Sequence, residues 1–111
     1  MQAPSEATLL RIFVGYDDTF DDRPLYDQIV LKARAMDMAG ATVTRGILAY
    51  GPASKELEIV LRLSEDAPIV IEVVDSEERI RSFLAAVDHM IESGLVTLQT
   101  VSVVRYGRRP A

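Results

Sequence analysis

The sequence of 111 residues contains no cysteine, no tryptophan and a single histidine, His89. Without cysteine the chain cannot form a disulfide, a thiolate zinc site, an iron–sulfur cluster or a cysteine nucleophile. A single histidine also excludes a multi-histidine metal site within one chain. No Gly-x-Ser-x-Gly elbow, P-loop or dinucleotide-binding fingerprint occurs. These absences predict a protein that is not an enzyme, with no catalytic residue and no metal site.

Long apolar runs are also missing from the sequence. No segment has the roughly 18 consecutive apolar residues of a membrane span, and the first residues lack the basic and then apolar pattern of a signal peptide. We therefore expect a cytoplasmic protein without membrane insertion. The net charge of −5 disfavours nucleic acid as a partner, because phosphate backbones attract basic proteins.

The composition is typical of one globular domain. Apolar residues make up 49% and charged residues 26% of the chain, close to the usual values for soluble proteins. We predict a flexible leader over residues 1–7, a single domain over 8–106 and a basic tail over 107–111. The last 11 residues carry three arginines and no acid, whereas residues 1–100 carry 9 basic and 17 acidic side chains. The basic terminus keeps a phosphate-bearing ligand compatible with the acidic body.

Apolar spacing predicts strands and helices in the order β-α-β-β-α-β, with one further strand-like arm. The predicted elements are a strand ending at Gly15, a helix over about 24–38, a strand over 41–50, the arm over 57–63, a strand over 69–74, a helix between Asp75 and Gly94, and a strand over 95–105. Two βαβ halves of this kind build an α+β, ferredoxin-like βαββαβ sandwich with both helices on one face of the sheet.

Local signals predict where the helices begin and end. Asp22 is expected to cap the first helix, with Pro24 in its first turn. Gly40 suits the end of that helix. Asp75 is expected to cap the second helix, since Glu78 stands three residues later at the capping-box spacing.

Two irregularities stand out within the predicted strands. Apolar residues of the last strand change parity between Leu98 and Val101, which predicts a bulge near residues 99–100. Glu72 is the one charge in an otherwise apolar strand, and such a residue is rarely buried without a partner. We expect it to pair with Arg11 or Arg45 on a neighbouring strand, or across a subunit boundary.

Five residues are candidates for ligand binding. Arg105 and Arg108 flank an aromatic residue and a glycine, a set that can bind phosphate and stack on a base; a solvated basic tail is the alternative. Arg45 and Gly46 form the second candidate, because a glycine inside a strand lets a ligand or a neighbouring subunit approach the backbone. A packing glycine is the alternative there. Thr42 would add a hydroxyl to the same cleft, although it also fits an ordinary strand.

An acidic loop offers a further, weaker candidate. Asp17, Asp18, Asp21 and Asp22 carry oxygens that Ca²⁺ or Mg²⁺ would accept, but they lack the EF-hand spacing. A solvated loop with a helix cap is the favoured interpretation. His89 is predicted on the exposed side of the second helix, where it has no positioned partner for general-base catalysis.

Several short segments, in order, resemble one known family. They are Arg23-Pro24-Leu25-Tyr26, Gly40-Ala41-Thr42-Val43, Arg45-Gly46-Ile47, Tyr50-Gly51, Leu63-Ser64-Glu65-Asp66 with Pro68, and Gly94-Leu95-Val96-Thr97. Together they look like the PII-like proteins classed as domain of unknown function 190. The resemblance covers roughly residues 9–106.

The resemblance implies a ferredoxin-like subunit that assembles as a homotrimer and binds a small anionic ligand, an adenine nucleotide among the candidates, in clefts between subunits. It also implies a partner-binding loop, which would here comprise Gly51, Ser54, Lys55 and Glu56. This loop is shorter than the T-loop of nitrogen-regulatory PII proteins. No cofactor is certain. A four-stranded sheet has two edges that need pairing or protection, which independently favours assembly.

Two functional hypotheses remain open at this point. In the first, the chain is a trimeric signalling or regulatory protein whose ligand orders the loop and the tail. In the second, a ligand-free trimer docks on a transporter or an enzyme through the arm over 51–66. Stabilisation by nucleotides distinguishes them, since only a protein that binds nucleotide is stabilised by it.

Overall fold

A four-stranded antiparallel sheet forms one layer of the protein. The computed structural model describes residues 6–46 and 68–105. The strands run in the spatial order β4-β5-β1-β6, and their ranges are β1 (Glu6–Gly15), β4 (Thr42–Arg45), β5 (Pro68–Asp75) and β6 (Leu95–Ser102). A separate short pair, β2 (Thr19–Phe20) and β3 (Arg23–Pro24), follows β1. Residues 6 and 7, assigned to the leader by the sequence prediction, therefore belong to the first strand.

Two helices, α1 (Leu25–Ala35) and α2 (Glu77–Val87), pack on one face of the sheet. Alternate residues of β1 and β5 point to the helices because successive side chains of a strand point to opposite faces. The core is formed by Leu10, Ile12, Val14, Leu25, Ile29, Ala33, Ile69, Ile71, Val73, Ile80, Phe83 and Val87, which are all buried. Complete burial of one such aliphatic or aromatic side chain contributes about 1.5–3 kcal/mol.

This connectivity and strand order define the ferredoxin-like α+β sandwich and confirm the predicted fold class. The strand-like arm over 57–63 and the basic tail over 107–111 lie outside the described residues. Within residues 6–46 and 68–105, no helix is long and apolar enough to cross a membrane.

The start of α1 differs from the prediction. Pro24 occupies the N-cap position, and no side chain caps the helix. The backbone N–H of Leu25 instead donates to the carbonyl of Asp18 at 2.8 Å. Asp21 and Asp22 have φ angles of 52° and 63°, so they form the tight turn between β2 and β3, where positive φ at both central residues matches strand twist. The predicted cap by Asp22 was therefore wrong.

The cap of α2 also differs from the prediction, by one residue. Ser76 is the N-cap, and its hydroxyl accepts a hydrogen bond from the backbone N–H of Arg79. Asp75 lies one residue too early to cap, and its carboxylate makes other contacts that are described below. The α-helix ends at Val87, and a 3-10 turn follows over Asp88–Met90. Both end before the predicted stop at Gly94.

Strand β6 pairs with β1 without a bulge. The register is continuous from Glu6 opposite Ser102 to Phe13 opposite Leu95, so the predicted bulge was wrong. The change in parity reflects a change of face: Leu98 lies opposite the helix-facing Leu10, whereas Val101 lies opposite Ala7 on the other face. That other face carries no helix among the described elements, and we call it the open face.

The end of α1 is closed by a Schellman motif with an aspartate in the left-handed position. Asp37 has a φ of 55°, and its N–H donates to the carbonyl of Arg34. The N–H of Met38 donates to the carbonyl of Ala33 at 3.0 Å. This is the pattern in which the left-handed residue is usually glycine, and Asp37 takes that place three residues before the predicted stop at Gly40.

We expect Asp37→Gly to raise the free energy of unfolding by about 1 kcal/mol, because glycine adopts positive φ without the penalty that a Cβ brings. Asp37→Asn, which keeps a side chain tolerant of this conformation, should be close to wild type, and Asp37→Ala should be destabilised. Urea denaturation of the three variants measures the order. Equal stabilities would show that this turn is not strained.

Candidate functional site

A cavity of about 620 Å³ opens where strands β4 and β5 diverge. The ladder between these strands stops at Thr42 opposite Glu72, whereas β5 continues to Asp75. Residues 39–41 lead into β4 and line the far side of the gap. The cavity therefore extends from the segment that enters β4, past the ends of β5 and β1, to the residues that follow β6.

The walls of the cavity combine small or apolar side chains with four polar ones. The apolar walls come from Ala7, Leu9, Ala39, Gly40, Ala41, Val74 and Val103. The polar groups are Thr42, Glu72, Asp75 and Arg105. A mostly apolar concave surface with a few convergent polar groups is typical of small-molecule sites.

The carboxylate of Asp75 holds the cavity wall in place. Its Oδ2 accepts hydrogen bonds from the backbone N–H of Ala39 at 3.0 Å and from Nε of Arg79 at 3.1 Å. The same guanidinium donates to the carbonyls of Met36 and Asp37 at the end of α1. Asp75 is the residue that joins the end of β5, the start of α2 and the segment after α1. It thereby sets the distance between β5 and residues 39–41.

Glu72 forms the predicted ion pair with Arg11. Nε of Arg11 lies 2.7 Å from Oε2 of Glu72, on adjacent strands of the open face. A second nitrogen of Arg11 donates to the side-chain oxygen of Gln99 on β6 at 3.4 Å. The prediction that a neighbouring-strand arginine neutralises Glu72 is confirmed.

Among the residues predicted to bind ligand, the structure places Thr42 and Arg105 in the lining of the same cavity, toward opposite edges of the sheet. Both line the cavity, Thr42 from the edge strand β4 and Arg105 from the chain that follows β6. Arg105 is the one cation among the described lining residues. A hydroxyl and a guanidinium are therefore available to a ligand in this cavity, next to apolar surface on which a ring can pack.

Arg45 lies on the opposite face of the sheet from Thr42. It is paired with the helix-facing residue Ile69, and its guanidinium carbon lies 4.0 Å from the centre of the Tyr16 ring. Tyr16 in turn stacks on Tyr26 at 5.9 Å between ring centres. The three side chains form a cation–π stack at the end of β4, away from the cavity.

Gly46 is packed closely against the first residue of β5. A Cβ on Gly46 would lie 2.6 Å from Cγ of Pro68, and its backbone N–H donates to the Pro68 carbonyl at 2.8 Å. These contacts explain a glycine here by the close approach of two strands. Gly46 is not among the residues that line the cavity.

The remaining predicted site residues lie outside the described residues. These are Arg108 in the tail and the loop residues Gly51, Ser54, Lys55 and Glu56. Across residues 6–46 and 68–105, no group of three or more histidine or acidic residues is arranged to hold a metal ion. In the acidic loop, Asp18 instead accepts from the Gly15 N–H at 2.8 Å and closes a turn.

Sequence reasoning missed the roles of Asp75 and Gly40. Asp75 was interpreted as a helix cap. The signal for its other role is Arg79, which stands four residues later, at the spacing of an ion pair on a helix. Gly40 was interpreted as a helix stop. In the structure a Cβ on Gly40 would meet no atom within 4 Å, because it would project into open space beside the cavity.

Solved structures share this fold. CPII, described as a nitrogen regulatory PII-like protein from Thiomonas intermedia K12, has a TM-score of 0.64 in a structure bound to ADP, AMP and acetate, with 19% identity and 90% of each chain covered. A functionally unknown protein from Pediococcus pentosaceus has a TM-score of 0.57, with 11% identity, 96% of this chain and 100% of that chain covered. The fold defined here is therefore that of the PII-like proteins.

The chain belongs to the family DUF190, described as Uncharacterized ACR, whose model matches residues 7–103. A UPF0166 protein of Aquifex aeolicus is 37% identical over 98 residues, covering 86% of this chain and 91% of the relative. A UPF0166 protein of Methanocaldococcus jannaschii is 31% identical over 101 residues, covering 90% and 94%. The predicted family resemblance is confirmed.

We expect Asp75→Ala to lower the free energy of unfolding by about 1–3 kcal/mol, since it leaves the N–H of Ala39 and part of the Arg79 guanidinium without their acceptor. Asp75→Asn should lose less, because the amide oxygen can still accept from Ala39. Denaturation by urea compares the two. An equal loss of unfolding free energy in the two variants would mean that the hydrogen bond from the N–H of Ala39 does not contribute to stability.

The two glycines give a matched pair of substitutions. Gly46→Ala should destabilise the protein by about 1–3 kcal/mol, because its Cβ would overlap the Pro68 ring. Gly40→Ala should be neutral or slightly stabilising, because the space is open and the unfolded chain loses freedom. Thermal unfolding of both variants checks the contrast, and a stable Gly46→Ala would show that β5 shifts freely at its start.

Proposed function

We propose that this chain is a PII-like regulatory protein that binds a small anionic ligand, an adenine nucleotide, in a cleft completed between the subunits of a cytoplasmic homotrimer. The observation that carries the proposal is the cavity in which Thr42 and Arg105 face apolar walls. A base can pack on Leu9, Val74 and Val103, and a phosphate can accept hydrogen bonds from a guanidinium. ADP bound to CPII, which shares the fold, supports this ligand class.

The polar groups of the cavity favour binding over catalysis. Both of its carboxylates already have arginine partners, Glu72 with Arg11 and Asp75 with Arg79. A general base has to face the substrate at hydrogen-bond distance, whereas each of these carboxylates already has an oxygen in contact with an arginine. We therefore infer a regulatory role and no enzymatic step.

Phosphate contact is assigned in this proposal to Arg105 and to Arg108, three residues later in the chain. Arg45 and Gly46 have contacts that support a structural role at the end of β4. A ligand contact by these two residues would have to come from the cleft of a neighbouring subunit. The loop residues Gly51, Ser54, Lys55 and Glu56 are proposed to contact the regulated protein.

A panel of AMP, ADP, ATP, GDP and inorganic phosphate in thermal unfolding tests the proposal. A nucleotide present at 100 times its dissociation constant should stabilise the protein by about 2.7 kcal/mol. Arg105→Ala should weaken the binding of that nucleotide by roughly 10- to 100-fold, which corresponds to the loss of one or two hydrogen bonds to a charged group. Thr42→Val should weaken it by about 10-fold or less.

Arg81→Ala serves as the matched control, because Arg81 is an exposed arginine on the surface of α2 and is not among the residues that line the cavity. It should leave nucleotide binding unchanged. A nucleotide effect that survives the combined Arg105→Ala and Arg108→Ala substitutions would overturn the assigned site. If no member of the panel raises the melting temperature, the ligand-free docking protein is the better interpretation.

A further inference from the structure

The open face of the sheet is organised in rows that run across the strands. Directly paired residues of an antiparallel sheet point to the same face, so the register defines each row. One row is wholly polar and consists of Thr97, Arg11, Glu72 and Thr42. We call it the polar row. It crosses all four strands and ends at the cavity, which Glu72 and Thr42 line.

The rows on both sides of the polar row are mainly apolar. One contains Leu9 and Val74 together with Gln99, and the other contains Leu95, Phe13 and Val70 together with Thr44. Leu95 is 56% and Val74 is 38% exposed. Exposed apolar side chains beside polar ones are typical of surfaces that contact another protein.

The ion pair in the polar row can form further hydrogen bonds. A guanidinium has five N–H donors, and within the described residues Arg11 uses its Nε on Glu72 and one terminal nitrogen on Gln99. The side chains of Arg11 and Glu72 are 39% and 33% exposed. Covering this face would bury both charges, which is costly unless the covering surface supplies further partners.

Further copies of the same chain supply those partners. In a ring of three copies, one neighbour offers a carboxylate to Arg11 and the other neighbour offers a guanidinium to Glu72, so each charge of the polar row meets an opposite charge. A partner of one charge sign would satisfy Arg11 or Glu72 but not both. The charge balance of the row therefore favours a copy of this chain over an acidic or a basic partner.

We infer that the polar row sets the register in which copies of this chain associate, through contacts of Arg11 of one subunit with Glu72 of the next. The inference rests on the proposed homotrimer. The row of Leu95, Phe13 and Val70, which does not line the cavity, supplies the affinity, and the polar row excludes registers in which Arg11 or Glu72 would be buried against apolar side chains. Buried polar groups are known to select one association mode in this way at a cost in stability.

A charge-swapped variant tests this contact. Arg11→Glu combined with Glu72→Arg keeps one pair within each chain and keeps the row self-complementary. The variant should assemble with itself to the wild-type stoichiometry. Mixed with wild-type protein it should form no mixed oligomers, because Arg11 of one chain would face an arginine of the other. Native mass spectrometry after incubation and subunit exchange reads the masses directly.

Matched leucine variants give a second measurement. Arg11→Leu with Glu72→Leu should produce more than one oligomeric species, since the row no longer selects a register. Arg81→Leu with Glu77→Leu makes the same two replacements in an exposed ion pair of α2 and should keep the wild-type stoichiometry. Glu72→Leu alone should weaken association by about 100-fold or more, because it leaves Arg11 buried without its partner.

Free mixing of the charge-swapped and wild-type subunits would overturn the inference, as would a single unchanged stoichiometry in the Arg11→Leu, Glu72→Leu variant. Both outcomes would leave the proposed homotrimer standing. A wild-type protein that is monomeric in sedimentation velocity would instead overturn the homotrimer itself. The two failures are therefore distinguishable.

Discussion

The cavity depends on one carboxylate, that of Asp75, which is 10% exposed. A charge this far from water needs partners on several sides, and Asp75 has them in the N–H of Ser76, the N–H of Ala39 and the guanidinium of Arg79. These partners come from the start of α2 and from the segment after α1. Because Ala39 is bound to the end of β5 rather than to its edge, residues 40 and 41 enter β4 at a distance from β5, and the gap becomes a cavity.

Periodicity was sufficient to predict the sheet, the helices and most of the core. Leu10, Ile12 and Val14 alternate in β1 and are buried, and Ile80, Phe83 and Val87 follow the helical repeat in α2 and are buried too. Burial of one face of a strand or a helix produces a periodic pattern of apolar residues, and this pattern can be recognised within each segment alone. The partner of Glu72 was also predictable, because a charge in an apolar strand requires a neutralising group nearby.

The predictions that failed have different causes. The change of parity in β6 resembles a bulge until the register with β1 shows that the late residues simply face the other way. Thr42 and Arg45 were grouped as one cleft because they are close in sequence, yet three residues along a strand place two side chains on opposite faces. The role of Asp37 in ending α1 was not predicted, because glycine usually occupies this position and the nearest glycine, Gly40, occurs three residues later.

The polar row has a consequence for how fast copies of this protein meet. The chain as a whole carries a net charge of −5, so two copies repel one another as they approach. The three rows of the open face contain one arginine and one glutamate, so these rows together are electrically neutral. The rate at which two copies meet is then lowered by the net negative charge of the whole chain and not by the charges of the contact surface. Dissolved salt, which screens charges over about 8 Å at physiological strength, should accelerate association and leave the lifetime of the assembled form nearly unchanged.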